Sequence, residues 1–173
     1  MTKAIFPGTF DPIHYGHIDI ALRAAKLFST LYVAVYDRPL KSLLFSPEER
    51  IDLVKRSFHE PNVEVIGYNS LTVDLCKKIG ATVIVRGLRV FSDFEYEFRM
   101  ALANNRLAPD IDVVAFITSE QHTFLSSTTV REIASLDGDV SSMVPPHVVA
   151  ALDVRLNKID TEKRHGYSSS LRD

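Results

Sequence analysis

The chain has 173 residues, a net charge of −2, and 46% hydrophobic against 24% charged residues. That is the length of one domain with an ordinary globular composition, long enough to bury a core without disulfides or a structural metal. The charge balance excludes a global field for nucleic acid or a membrane surface, and no apolar run approaches the ~20 residues of a membrane span; the single cysteine, Cys76, excludes an internal disulfide framework and suits a reducing compartment.

In chain order, strand and helix patterns alternate. Met1-Thr2-Lys3 runs straight into a short apolar strand over 4–6, with no signal-peptide pattern before it. A turn rich in Gly and Pro follows, then a helix over 17–28 with Ile18, Ala21, Leu22, Ala25 and Phe28 on one face. A second strand covers 31–36. The next helix opens at Ser46-Pro47-Glu48-Glu49, where Ser46 suits the N-cap, Pro47 the first turn and Glu49 a capping box. A strand over 63–67 leads to a helix over 71–79, opened by Ser70 and stopped by Gly80. A strand over 82–85 precedes a helix over 93–107, stopped near Pro109. The last strand, 113–117, precedes a helix over 128–136 that ends near Gly138. A sixth helix starts after Pro145-Pro146 and runs to about Lys158.

Five Val- and Ile-rich strands alternating with helices imply a single α/β domain of Rossmann-like build over 1–158. Its five-stranded parallel sheet carries helices on both faces. Residues 159–173 are polar and without periodicity, and read as a mobile tail. In such a sheet ligands sit at the carboxyl ends of the strands, near the switch point.

The segment Pro7-Gly8-Thr9-Phe10-Asp11-Pro12-Ile13-His14-Tyr15-Gly16-His17 leaves the first strand and opens a helix. Helix-start N–H groups are unpaired and partly positive, which favours phosphate, and His17 adds an imidazole to them. Segments after the other strands supply Arg38 and Lys41, Ser70 and Thr72, Arg86 and Arg89, then Ser119, His122, Thr123, Ser126, Ser127, Thr128 and Arg131. The expected rim is basic and hydroxyl-rich although the chain is slightly acidic, which suits a molecule with several phosphates.

Bland readings stand beside these. His14 and His17 also suit metal binding, but no third ligand occurs at matching spacing, and no metal site is expected from them. Lys41 alone reads as a solvated loop residue, although Leu43, Leu44 and Phe45 make its loop unusually apolar. Arg86 and Arg89 suit ion pairs with Asp93, Glu95 or Glu97 as well as they suit phosphate. Ser126-Ser127-Thr128 suits a helix cap, which needs only one such hydroxyl. Phe94, Tyr96 and Phe98 read as core or interface residues, and Cys76 as a small core residue. The G-x-x-x-x-G-K-[ST] and G-x-G-x-x-G fingerprints are absent.

With His14-Tyr15-Gly16-His17 after the first strand and Ser126-Ser127-Thr128-Thr129-Val130-Arg131 before a late helix, the chain resembles the nucleotidyltransferase superfamily. That group carries (H/T)-x-G-H and I-S-S-[ST]-x-x-R motifs, and Leu125 stands where Ile is usual. Within it the resemblance is to the bacterial phosphopantetheine adenylyltransferases. It runs from residue 3 to about 157 and includes Arg86-Gly87-Leu88-Arg89 and Asp93-Phe94-Glu95-Tyr96-Glu97.

The resemblance implies transfer of AMP from ATP to 4′-phosphopantetheine, giving dephospho-coenzyme A and pyrophosphate. It further implies Mg²⁺ held mainly by substrate phosphates and water, a homohexamer, a cytoplasmic location, and coenzyme A as feedback ligand, with no nucleic-acid or membrane partner. Carried over by position, His17, Lys41 and Arg89 would be catalytic. Thr9, Lys41, Thr72 and Arg86 would meet phosphopantetheine. Thr9, Phe10, His17, Gly87, Leu88, Arg89, Glu97, His122, Thr123, Phe124, Leu125, Ser126, Ser127 and Thr128 would meet ATP. His122 stands where the family commonly has a bulky aromatic, and Thr72 where it has an apolar residue.

A phosphate monoester is largely dianionic at neutral pH and needs no general base, so the implied reaction is in-line attack without a covalent intermediate. Adenylyltransferases for nicotinamide mononucleotide and cytidylyltransferases for phospho-alcohols share the first and last motifs. A non-catalytic nucleotide sensor on the same fold is the reading from another class.

Overall fold

The structure, a computed structural model, describes residues 2–37 and 43–169, with side chains as far as Asn157. The elements are β1 (Lys3–Gly8), α1 (Tyr15–Ala25), β2 (Thr30–Tyr36), α2 (Pro47–Lys55), β3 (Val63–Tyr68), α3 (Thr72–Ile79), β4 (Val83–Leu88), α4 (Phe91–Leu107), β5 (Asp112–Ile117), α5 (Ser127–Ser135) and α6 (Pro146–Ser169). A short 3-10 helix, Glu120–His122, lies between β5 and α5. All five strands pair in parallel in the order β3-β2-β1-β4-β5. Chain order reverses between β1 and β4, so the crevice above that pair is the switch point.

The central strand β1 is buried on both faces. Phe6 joins a core with Ile13, Ile20, Ala24, Val33, Val54, Val130, Val144, Val148 and Leu152. Ile5 faces a second cluster with Val73, Leu75, Cys76, Ile84 and Ile111 on the opposite face. This is the two-sided coverage that the continuous apolar strands require. Cys76 is a buried core residue, as its sequence context suggested.

Helix starts follow local chemistry, with differences. At α2 the capping box forms as expected: Ser46 accepts from the Glu49 N–H, Glu49 accepts from the Ser46 N–H, and Pro47 occupies the first turn. Gly80 stops α3 in the left-handed conformation at φ 71°. The expected cap at Ser70 is absent: Leu71 holds the N-cap position, with no side-chain bond. Helix α1 starts at Tyr15 rather than at residue 17, because His14 takes the N-cap, a role that Ser, Thr, Asp or Asn usually fills. Helix α6 passes the expected end near Lys158 and continues to Ser169. Glu162, Lys163 and Arg164 are good helix formers, and no Gly interrupts them before Gly166, so polarity alone was a poor stop signal.

Helix α4 buries none of its residues, and Phe91, Phe94, Phe98 and Leu102 stand exposed along it. The core reading of Phe94, Tyr96 and Phe98 therefore does not hold: among the described residues nothing buries them, and they are 47%, 55% and 52% exposed.

Candidate active site

A cleft of about 520 Å³ opens at the carboxyl ends of the strands. The turn after β1 contributes Thr9, Phe10 and His14 to its walls, α1 contributes Gly16, His17 and Ile20, β4 and its exit contribute Arg86, Gly87 and Arg89, and the start of α5 contributes Ser126 and Ser127. Tyr36, Tyr68 and Thr72 line it from the ends of β2 and β3 and the start of α3, and Tyr96, Glu97, Met100 and Asn104 from α4.

His14 and His17 form a reciprocal capping box. The His17 N–H donates to Nδ1 of His14 at 3.4 Å, and the His14 N–H donates to Nδ1 of His17 at 3.3 Å. Their rings stack with centroids 3.6 Å apart. Because each Nδ1 accepts, the proton of each neutral ring sits on Nε2. Burial pushes the His14 pKa down to about 3, with the positive charge of Arg89 and neighbouring His122 acting in the same direction. Burial, then His14, Arg89 and Arg86, hold the His17 pKa well below the usual imidazole value. His17 therefore presents an uncharged Nε2–H donor at neutral pH.

The His17 ring is walled by Phe10, in edge contact at 5.0 Å between centroids, and by Phe6. Phe10 adopts φ 51°, an uncommon conformation for a bulky residue and a form of strain that concentrates at functional sites. Gly8 makes that placement possible, since a Cβ there would meet the Phe10 ring at 2.8 Å.

The cations of the cleft are held in place. Arg86, which lies inside β4 rather than after it, makes a two-pronged pair with Glu97 at 2.7 and 2.5 Å and donates to the Pro7 carbonyl at 3.0 Å. Arg89 binds both carboxylate oxygens of Asp93 and donates to the Leu125 carbonyl at 2.8 Å. The expected ion pairs therefore form, to Glu97 and to Asp93, and each arginine also lines the cleft.

Two residues have supporting roles that the sequence did not show. Arg50, fully buried on α2, donates to the carbonyls of Thr9 at 2.7 Å, Tyr36 at 2.8 Å and Phe45 at 3.3 Å. Asp11, 1% exposed, accepts from the N–H groups of Leu44 at 2.9 Å and Phe45 at 3.0 Å. Arg131 donates to the Asp11 carbonyl and lies 3.4 Å from its carboxylate, so this arginine serves the turn after β1. Only the tertiary fold shows that Arg50 ties together the turn after β1, the end of β2 and the segment before α2.

The sequence-expected residues separate in space. Thr9, Phe10, His17, Thr72, Arg86, Gly87, Arg89, Glu97, Ser126 and Ser127 share the cleft. Leu88, His122, Thr123, Phe124, Leu125 and Thr128 are not among its lining residues. Leu125 is buried and meets Arg89 through its backbone, and Phe124 is exposed. Of the three successive hydroxyls, Ser126 caps α5, Ser127 donates to the Pro12 carbonyl at 2.8 Å, and Thr128 accepts from Arg131. Thr72 hydrogen-bonds the Tyr68 hydroxyl at 3.1 Å. Arg38 and Lys41 lie outside the described residues.

Among the described residues no three His, Cys, Asp or Glu side chains converge on a point. The carboxylates on the cleft, Asp93 and Glu97, are each bound to a guanidinium. Hydroxyls, guanidiniums and committed carboxylates suit a divalent ion carried in on phosphates and water better than one caged by protein.

A family model described as cytidylyltransferase-like matches residues 5–133. The chain is 57% identical over 153 residues to the phosphopantetheine adenylyltransferase of Roseiflexus sp. strain RS-1, covering 88% of this chain and 96% of that one. It is 52% identical to the phosphopantetheine adenylyltransferase of Herpetosiphon aurantiacus, over 88% of this chain and 93% of that one. Among solved structures, a Vibrio parahaemolyticus protein described as a nicotinate-nucleotide adenylyltransferase superposes with a TM-score of 0.64 at 21% identity, over 88% of this chain and 99% of that one. At that identity the likeness shows the fold alone, and it agrees with the parallel α/β sheet expected from the strand pattern.

Proposed function

The chain belongs to the cytidylyltransferase-like family and, within it, to the phosphopantetheine adenylyltransferases, and from that premise we infer that it transfers AMP from ATP to 4′-phosphopantetheine. The products are dephospho-coenzyme A and pyrophosphate, which makes the protein a nucleotidyltransferase of coenzyme A synthesis. One observation of the structure carries the reading: an uncharged imidazole donor, two guanidiniums, a helix N-terminus and two serine hydroxyls line one cleft at the switch point.

In this reading the attacking phosphate is already anionic, so the cleft has no proton to remove before the step. Its task is to bring two anions together and to steady the charge growing on the α-phosphoryl oxygens. Arg86 and Arg89 offset the repulsion from fixed positions. His17 Nε2–H donates to an α-phosphoryl oxygen, and its capping box keeps the ring from turning the wrong nitrogen inward. The resemblance adds Lys41 as a third cation, although it lies outside the described residues. The phosphopantetheine arm lies toward Thr72, Tyr68 and Asn104, and the nucleotide toward Gly16, Gly87 and Ser126. Mg²⁺, when bound through the triphosphate, supplies screening of the departing pyrophosphate.

The same reading carries a homohexamer, a cytoplasmic location and feedback by coenzyme A. Self-association is supported by the uncovered apolar side of α4, where Phe91 is 82% exposed, and by β5, an edge strand with Ile117 exposed. Coenzyme A carries both the adenylyl and the pantetheine portions of the reaction product and so suits the same cleft. Light scattering on the purified chain tests the hexamer.

A pyrophosphate-release assay tests the function. With Mg²⁺, ATP and 4′-phosphopantetheine, release is expected only when all three are present. Equal release with CTP, or with nicotinamide mononucleotide in place of phosphopantetheine, would overturn the assignment.

A further inference from the structure

The carbonyls of the turn after β1 are held by side chains from other segments. Arg50 donates to the Thr9 carbonyl at 2.7 Å, Arg131 to the Asp11 carbonyl, and Ser127 to the Pro12 carbonyl at 2.8 Å. Phe10 lies inside this set at φ 51°. A bulky residue keeps such a conformation only where its surroundings over-determine it. The buried Phe10 ring in turn meets the His17 ring edge-on, with centroids 5.0 Å apart.

Two of the three donors belong to α5. Ser127 and Arg131 are four positions apart and so share one face of the helix. Buried Val130 packs α5 into the core. The Arg131 guanidinium is committed locally: Nη1 serves Asp11, whose carboxylate lies at 3.4 Å, and Nη2 donates to Thr128 Oγ1 at 3.4 Å. The sequence placed Arg131 on the phosphate-binding rim, yet it is not among the residues that line the cleft. Its contacts end at the turn that carries Phe10.

We propose that Arg131 is a positioning residue: by holding the Asp11 carbonyl it keeps Phe10 in its positive-φ conformation, and Phe10 keeps the His17 ring turned towards the cleft. The kinetic consequence rests on the adenylyl-transfer reading. The proposal gives the arginine of the I-S-S-[ST]-x-x-R motif an action on His17 rather than on the nucleotide.

The test compares Arg131→Met and Arg131→Lys with the parent chain, each alone and combined with His17→Ala. Arg131→Met should lower kcat by about tenfold to a hundredfold, the scale of a misplaced catalytic group, and change the dissociation constant for ATP by less than about threefold. In the His17→Ala background it should cost less than about threefold in kcat, because residues that act through one another are not additive. Arg131→Lys, which keeps a donor for the Asp11 carbonyl, should recover most of the parent kcat. NMR of the ligand-free protein gives a readout independent of turnover. The His17 ring-proton signals should shift in Arg131→Met, as the Phe10 ring leaves its edge, and stay near their parent positions in Arg131→Lys. A role confined to the stability of α5 would lower Tm and leave those signals in place, and that result overturns the proposal. Should Arg131→Met not fold, Arg131→Gln takes its place in every measurement. A rise of about tenfold or more in the ATP dissociation constant with unmoved His17 signals marks a direct phosphate contact and also overturns the proposal, as does full additivity with His17→Ala. A parent chain with no ATP turnover overturns instead the adenylyl-transfer reading, and the NMR comparison then decides by itself whether Arg131 holds His17.

Discussion

His14 and His17 hold each other: each ring's Nδ1 accepts the other residue's backbone N–H, and the two rings stack 3.6 Å apart. One contact thus starts helix α1 and fixes the tautomer of His17, while burial keeps both imidazoles neutral. In the proposed reaction, removing the His17 ring deletes a donor needed most in the transition state. His17→Ala should lower kcat by about 10²–10³-fold while changing the dissociation constant for ATP only severalfold. Steady-state kinetics with calorimetric ATP titration separates the two effects.

The same pair makes the fold acid-sensitive. An imidazole whose folded pKa lies below its unfolded value of about 6.5 contributes its full stability above that pH. The contribution is lost as pH falls towards the folded pKa, about 3 for His14. Stability should therefore decline from pH 6.5 downward, by as much as about 1.4 kcal/mol per pH unit for each buried neutral ring. His14→Gln should flatten that slope between about pH 4.5 and 6.5, above the range where carboxylates titrate. Urea unfolding at several pH values reads it directly.

Arg50 supports the site without lining the cleft. Arg50→Met would leave the carbonyls of Thr9, Tyr36 and Phe45 without their buried donor. A loss of about 3–5 kcal/mol in unfolding free energy is expected, and Arg50→Lys, which reaches fewer carbonyls, should recover only part of it. Chemical denaturation of both variants checks the order.

Gly87 and Ile20 pack against each other in the wall of the cleft. Gly87→Ala should push the Ile20 side chain towards the cleft and weaken ATP binding by about tenfold, since a Cβ at 87 meets Ile20 Cδ1. Adding Ile20→Val, which removes that methyl, should restore much of the affinity. Calorimetric titration of the single and double variants decides it.

The architecture was legible because buried parallel strands print continuous Val and Ile runs, as in Val83-Ile84-Val85. The capping box at Ser46 and Glu49 was legible because its chemistry is local. The cap made by His14 was not, since an imidazole seldom takes that role, and the helix start was placed too late. The roles of Arg50 and Asp11 escaped because each acts through backbone contacts between segments distant in sequence. The three hydroxyls at residues 126–128 were legible as a cluster, but their division into a cap, a tie to Pro12 and a contact to Arg131 appears only in three dimensions.

The central claim is that two anions meet in this cleft and exchange one phosphoryl bond directly. Its most direct test is the stereochemical course with ATP bearing a single configuration of sulfur at the α-phosphorus. Direct in-line attack by phosphopantetheine yields the thio-analogue of dephospho-coenzyme A with inverted configuration. Retention, which requires two displacements through an enzyme-bound adenylyl group, would contradict it.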